Sequence, residues 1–365
     1  MAKDMHRSSF EGHTINKLTL YSRYLEDALP VFLCAPSVKR VNIFDFFCGP
    51  GMDQDGNPGS PMLAIESVRK VMTSPNVPQD KQIHLFFNDA DRRKTETLYA
   101  MLQDMEKPGN VIGKLTTKSF AEAFNAQYDQ MSASGNANIV FMDQYGISEI
   151  TREIFGRLSI LPYTDFMFFL ASMTGYRFQQ LESVTGKLPQ LTDDERSSLT
   201  AHNIHRTLAM AYKRWIPSGC ARYMSNFSLK HDGNVYGLVF SSGHYTGVNR
   251  FLTIAWDMKP EYAGQADFDI DDDRIDPRQP KLFEDYNMPS KLKLFSRDLK
   301  QMVTDRKLTD NKSIFLYAME YGVLAKHARD VITEMVKEKT LPRQRLPISE
   351  DAMKKEAVMI NYGGQ

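Results

Sequence analysis

The stretch VNIFDFFCGPGMDQDGNPGSP, Val41 to Pro61, decides how the chain is read. Its first seven residues form an apolar run suited to a strand buried on both faces. After Asp45 the chain breaks into a segment carrying Gly49, Gly51, Gly56 and Gly59 with Pro50, Pro58 and Pro61. Glycine admits left-handed backbone and close approach, and proline restricts the chain, so the segment reads as a loop shaped around something. Ser60-Pro61 predicts an N-cap followed by a first-turn proline, which would open a helix. A plain surface turn is the competing reading.

Outward from this loop, apolar runs alternate with helical patterns, as in a parallel sheet wound with crossover helices. The runs are 41–47, 83–89, 137–143 and 164–171, with a weaker one at 111–115. Helical spacing fills 61–72, 91–105, 119–131 and 148–159, and an amphipathic helix with Leu18, Tyr21, Leu25 and Leu29 on one stripe precedes the first strand. Residues 174–217 then read as a helical insertion, with a capping box at Thr192 to Glu195. RYMSNFSL and VYGLVFSS flank HDGN, whose Asp232-Gly233 is a hairpin signal. A parallel sheet that ends in an antiparallel hairpin favours the class I methyltransferase sheet over the all-parallel dehydrogenase type. The expected fold is α/β, a doubly wound, mostly parallel sheet with a terminal antiparallel hairpin.

Composition agrees with a folded chain. The 365 residues are 42% hydrophobic, enough for a large core, and the net charge of zero excludes a globally basic nucleic-acid binder. No apolar run approaches membrane-spanning length and the first residues lack a signal-peptide centre, so a cytoplasmic protein is expected. Cys34, Cys48 and Cys220 stand apart and suggest neither a zinc site nor disulfides. Charge divides the chain near residue 287. Glu261 to Tyr286 holds nine acidic residues, whereas Lys291 to Arg345 holds thirteen basic against seven acidic ones. This predicts a sheet domain at 1–260, an acidic linker at 261–289 and a basic module at 290–365. DFDIDDDRID fails as a calcium loop because Asp272 and Arg278 stand where glycine and glutamate are needed.

Ligands of doubly wound sheets lie outside the carboxyl ends of the strands. The first strand ends at Asp45; the next places Asn88, Asp89 and Asp91 where ribose hydroxyls are commonly bound; another ends at Asp143. The loop is neither G-x-x-x-x-G-K-[ST] nor G-x-G-x-x-G, which points to an adenosine cofactor without phosphates, S-adenosylmethionine. Asp45, Phe47, Gly49, Pro50, Gly51, Gly59 and Ser60 would cradle its methionine end, with Asn88 and Asp89 on the ribose. Each strand-final aspartate, taken alone, is also an ordinary turn or cap residue.

The segment Asp45 to Gly51, followed by Gly56 to Ala64, resembles the three-Cys-motif partner protein family, TcmP. That family's pattern is close to D-x-F-A-G-P-G, a spacer, then G-E-P-G-S-P-L-x-A. Lys17 to Leu29, Asp143 to Gly146 and LVFSSGHYTGVNRFLTIAWDM are similar to further parts of it. The resemblance implies a methyltransferase-like fold and a radical-SAM-like three-Cys-motif partner. Cys48 departs from the family's alanine, and Gln144 from its proline. Adenine amino-methyltransferases use Asp/Asn-Pro-Pro-aromatic; here Asp143, Gln144 and Tyr145 would position a methyl acceptor instead.

At the basic end, 291–303, 311–322 and 324–339 read as helices, the last two joined at Gly322-Val323 like a helix-turn-helix, with TLPRQRLPIS as a candidate wing. Lys326, His327 and Arg329, together with Arg343 and Arg345, would then meet nucleic acid. A protein-contact appendage is the competing reading. His202, His205 and His244 read as exposed or capping histidines, and no G-x-S-x-G elbow is present. Two further functions compete: a non-catalytic adaptor, and a nuclease using Asp45, Asp53, Asp55 and Asp143 as magnesium ligands.

Overall fold

The computed structural model describes residues 10, 12–103, 105, 110–144, 147–171, 187–199, 204–231, 234–258 and 290–363. Seven strands form one sheet: β1 (Arg40–Asp45), β2 (Gln82–Asn88), β3 (Val111–Thr116), β4 (Asn136–Met142), β5 (Thr164–Leu170), β6 (Tyr223–His231) and β7 (Asn234–Ser242). Their order is β3-β2-β1-β4-β5-β7-β6, with β1 to β5 parallel and β7 antiparallel between β5 and β6. This is the class I methyltransferase sheet. The reversal of order beside β1 puts the carboxyl ends of β1 and β4 at the position where sheets of this kind take their ligands.

The period-two alternation of each strand divides the interior into two cores. Val41, Ile43, Leu85, Ile139, Met167 and Phe240 face one side, where α1 (Gly12–Cys34), α2 (Ser60–Met72), Leu98 of α3 (Arg92–Gln103) and α8 (Tyr245–Asp257) cover them. Phe44, Phe86, Val140, Phe166 and Val239 face the other side, under α4 (Phe120–Ser132), α5 (Arg152–Ile160) and α7 (Ile204–Tyr212). Full burial of a Phe or Ile side chain contributes about 1.5–3 kcal/mol, so faces this densely apolar hold the layers together without exceptional contacts. The α1 stripe is buried as its spacing predicts: Leu18, Tyr21, Leu25 and Leu29 are all inaccessible or nearly so. Asparagines inside β1 and β4 are paired. Asn42 donates to Asn138 at 2.9 Å, Gln130 donates to Asn42 at 2.9 Å, and Asn138 donates to the Thr164 hydroxyl at 2.8 Å.

Of the insertion between β5 and β6, α6 (Asp193–Ser197), α7 and a short 3-10 turn at Lys213–Trp215 lie among the described residues; 172–186 lie outside them. The acidic stretch 261–289 also lies outside. One boundary differs from expectation: Gly59, not Ser60, occupies the N-cap of α2, and Pro61 is in its first turn.

The C-terminal segment folds into α9 (Ser290–Thr304), α10 (Asn311–Tyr321), α11 (Ala325–Lys337) and the short α12 (Glu350–Met353). Gly322 ends α10 with φ 83°, and a Cβ there would stand 2.7 Å from the Asn226 carbonyl, so the α10–α11 turn requires glycine for both conformation and space. That turn is tied to the sheet: Trp256 donates to the Gly322 carbonyl at 3.0 Å and Ser225 to the Met319 carbonyl at 2.9 Å. Phe295, Leu299, Ile314 and Phe315 are continuous with the α1-side core. No strand pair follows α11 among the described residues; its nearest counterpart is a single antiparallel bridge, Asp310 to Met359. Among the described residues no helix is long and apolar enough to cross a membrane.

Candidate functional site

At the carboxyl end of β1 the Asp45 side chain is wholly buried. Oδ1 accepts from the Phe47 amide at 3.2 Å, while Oδ2 has no hydrogen-bond partner. Burial pushes the carboxyl up from 3.8 to about 7; the Ser60 hydroxyl and Phe47 amide pull it down, and Asp143 and Asp89 push it further up. Tyr21 of α1 lies beside it, stacked on Phe141 at 4.2 Å, and its buried hydroxyl also lacks a partner. Burial, then the Asp45 charge, holds that phenol well above its ordinary value. Two unsatisfied polar atoms are expensive to leave in a protein interior, which makes this position the candidate place for an ordered water or a polar ligand group.

The loop above is fixed by its own backbone. Gly49 and Gly51 are left-handed, with φ 64° and 94°. The Gly59 amide donates to the Gly51 carbonyl at 2.7 Å, and Met52 and Pro58 form an antiparallel bridge. Asp53 ties the turn, Oδ1 accepting from the Asp55 and Asn57 amides at 2.9 and 2.8 Å and Oδ2 from the Asn57 side chain and the Phe10 amide at 2.7 Å each. With both oxygens used in this way, Asp53 is not available as the magnesium ligand that the nuclease reading requires. Among the described residues no group of three His, Cys, Asp or Glu could hold a metal ion. Phe47 is half-buried against Phe120, ring centroids 5.1 Å apart, at the lip of the loop.

At the end of β2 the two candidate residues divide. Asn88 is fully buried, and its amide donates to the Phe46 and Lys118 carbonyls at 3.3 and 3.0 Å. Its oxygen accepts from the Thr116 hydroxyl at 2.8 Å and the Lys118 amide at 3.1 Å. All its hydrogen-bonding capacity is used internally, so Asn88 braces the crevice and does not face a ligand. Asp89 is half-buried; it accepts from the Gly49 amide at 3.1 Å and from the Asp91 amide at 2.8 Å, joining β2 to the glycine loop.

Beyond β4, Asp143 pairs with Lys17, which α1 brings into the crevice and which lies 5.0 Å over the Phe169 ring. Lys17 escaped the sequence reading because a single lysine near the start of an amphipathic helix carries no signal of what it faces. Gln144 donates to the Phe169 carbonyl at 3.0 Å and accepts from the Glu149 and Ile150 amides at 3.0 and 3.3 Å, bracing β4 against β5 and leaving one side-chain N–H for a substrate. Tyr145 lies outside the described residues.

The basic residues of the C-terminal module differ in what they touch. Lys326, Arg343 and Arg345 are exposed. Arg329 donates to the Ile348 carbonyl at 2.7 Å. His327 instead caps α11: its Nδ1 accepts from the Leu324 amide at 3.2 Å and its ring packs 4.6 Å from Trp256. Burial, then Lys326, Lys291 and Arg329, lowers this imidazole to about 4, so it carries no charge for a phosphate at neutral pH. Asp330, Glu334 and Glu338 share the exposed side of α11 with its lysines, and Lys300 pairs with Glu334 and Glu338 at 3.1 and 3.0 Å. His244 caps α8, its Nδ1 accepting from the Thr246 amide at 3.2 Å.

No protein-family model matches the chain, and no curated protein matches it. Solved structures similar to part of it include the O-methyltransferase TomG from Streptomyces achromogenes in complex with SAM, at 11% identity and a TM-score of 0.34 over 60% of this chain and 78% of that one. The LPL1258 protein from Legionella pneumophila is similar at 10% identity and a TM-score of 0.34, over 64% of this chain and 86% of that one. The CurJ carbon methyltransferase is similar at 9% identity and a TM-score of 0.32, over 60% of this chain and 53% of that one.

Proposed function

We propose that the chain binds S-adenosylmethionine in the crevice above β1 and β4 and acts as a methyltransferase. The observation that carries this reading is Asp45, a buried carboxylate with one unpartnered oxygen, under a loop whose left-handed glycines bring the main chain close to whatever occupies it. A ligand ammonium at Oδ2 answers both the missing hydrogen bond and the cost of burying the charge. The residues present therefore fit the amino-acid end of the cofactor. Asp89, held by the Gly49 and Asp91 amides, stands at the end of β2 where ribose hydroxyls would donate to it. When bound, S-adenosylmethionine supplies an electrophilic methyl group on a sulfonium. Asp143, paired with Lys17, would take a hydrogen bond from the amine or hydroxyl of an acceptor.

The finer assignment, a three-Cys-motif partner protein, is supported by the motif spanning Asp45 to Ala64. On that reading the chain works in the cytoplasm with a radical-SAM-like partner, and nucleic acid is the substrate. The domain plan would be a sheet domain at 1–260, a linker at 261–289 and a winged-helix-like module at 290–365. A second reading, an adaptor that binds the cofactor weakly or not at all, is favoured by Gln144, which is committed to the fold where amino-methyltransferases carry an acceptor motif.

Calorimetric titration with S-adenosylmethionine and S-adenosylhomocysteine distinguishes the two. Saturable heat that is weakened in Asp45→Asn supports the methyltransferase; no heat at millimolar ligand supports the adaptor. Transfer of a labelled methyl group to RNA or DNA, absent in Asp143→Ala, would then establish the acceptor class.

A further inference from the structure

A second cavity lies at the opposite end of the sheet, at the amino end of β5. It has a volume of about 750 Å³ and is walled by α1, the α5–β5 connection, Gly219 to Arg222 and the start of α8. This volume is in the range of small-molecule sites, roughly 300–1,000 Å³. Its rim is apolar and unusually open: Val31, Ile160 and Tyr163 are 48%, 53% and 48% exposed. Tyr163 holds φ 46° with its hydroxyl tied to Ser37 at 3.0 Å, a conformation that costs about 1–3 kcal/mol for a non-glycine residue and that tends to persist at functional positions.

The floor of the cavity is polar. Arg222 is nine-tenths buried, with its guanidinium 4.8 Å over the Phe166 ring. Nε donates to the Ser241 hydroxyl at 3.2 Å and Nη2 to the Ser241 carbonyl at 3.5 Å, whereas Nη1 is buried with no partner. The adjacent carboxylate, Asp165, is already engaged by the Tyr24 hydroxyl at 2.6 Å, and Arg250 pairs with Asp27 at 3.2 Å. The N-terminus of α8 opens on the same floor and lends positive potential, the His244 side chain accepting from its Thr246 amide. Gly243 stands next to Nη1: a Cβ built on it would lie 3.6 Å from that nitrogen, in ordinary van der Waals contact.

We propose that this cavity binds a small monocarboxylic acid with an apolar or aromatic body, its carboxylate paired with Nη1 of Arg222 and its body against Val31, Phe32, Ile160 and Tyr163. A guanidinium keeps its charge and presents donors that match a carboxylate. One buried cation beside Asp165 suits a single negative charge better than a phosphate dianion. This site is independent of the cofactor crevice and of its assignment.

The test is calorimetric titration of the full chain with phenylbutyrate, its neutral analogue phenylbutanol, and inorganic phosphate. Phenylbutyrate should bind, phenylbutanol at least about tenfold more weakly, and phosphate not measurably. Gly243 is not in the left-handed region, so Gly243→Leu places a side chain against Nη1 without backbone strain and should abolish binding. Arg222→Met should do the same. Saturating S-adenosylhomocysteine should leave phenylbutyrate binding unchanged. No binding, equal binding of acid and alcohol, full binding by a folded Gly243→Leu protein, or displacement by S-adenosylhomocysteine would each overturn the proposal.

Discussion

If a ligand ammonium meets Asp45, cofactor binding must be coupled to a proton. Burial raises this carboxyl to about 7, so near that pH about half of the ligand-free molecules carry it protonated. A cation at Oδ2 draws the carboxyl back toward the ordinary carboxylate range near 4, and binding at pH 7 should then release about half a proton. Because only the ionised form accepts the ammonium well, affinity should strengthen about tenfold between pH 6 and pH 8, close to 1.4 kcal/mol. Titration of S-adenosylhomocysteine in buffers of different ionisation enthalpy reads both quantities. Asp45→Asn should bind more weakly and show neither effect. The same group acts on stability with the opposite sign. Its folded value lies above its unfolded one, so its contribution is complete below about pH 4 and is lost as pH rises through 7. The interval from 3.8 to about 7 sets an upper limit of about 4 kcal/mol, and ligand-free Asp45→Asn should therefore be more stable than the parent at pH 8. Binding that is independent of pH and exchanges no proton would refute the reasoning.

Gly59→Ala should weaken S-adenosylhomocysteine binding by about tenfold with little change in melting temperature: its Cβ would lie 3.0 Å from the Gly51 carbonyl and displace the loop, not the core. His327, lowered to about 4 by burial and its basic neighbours, contributes stability above its unfolded value near 6.5 that is lost as pH falls through 4. Urea denaturation at pH 7 and pH 4.5 should show a loss of about 2 kcal/mol, after allowing for solvent screening, that His327→Ala removes. For nucleic acid, replacing Lys326, Arg343 and Arg345 by alanine should lower the salt dependence of RNA binding by about 2–3 in the logarithmic slope; an unchanged slope would remove these residues from the interface.

The order of elements was legible because each strand of the parallel sheet is a continuous apolar run and each crossover has helical spacing. The pairing of β6 with β7 was legible for a local reason, the Asp232-Gly233 dipeptide between two apolar runs. The site was legible only to the level of which residue ends which strand. Whether a side chain at such a position faces the crevice or turns inward depends on neighbours far along the chain. Asn88 is drawn inward by Thr116 and Lys118, and Gln144 by Phe169 and the 149–150 amides, whereas Asp89 and Asp143 remain at the crevice. Lys17 reaches Asp143 across 126 residues of sequence, and no periodicity announces that pairing. His327 appears as a basic residue in the first turn of a helix until Trp256 and the Leu324 amide are placed beside it. The cavity at the amino end of β5 was illegible for the same reason, since four separate stretches of chain build it.

A crystal structure of the full chain grown with S-adenosylhomocysteine tests the central claim most directly. The ligand should lie above β1, with its ammonium on Oδ2 of Asp45 and its ribose hydroxyls on Asp89. A crevice that stays closed at millimolar ligand, or a ligand bound without contact to Asp45, would contradict it.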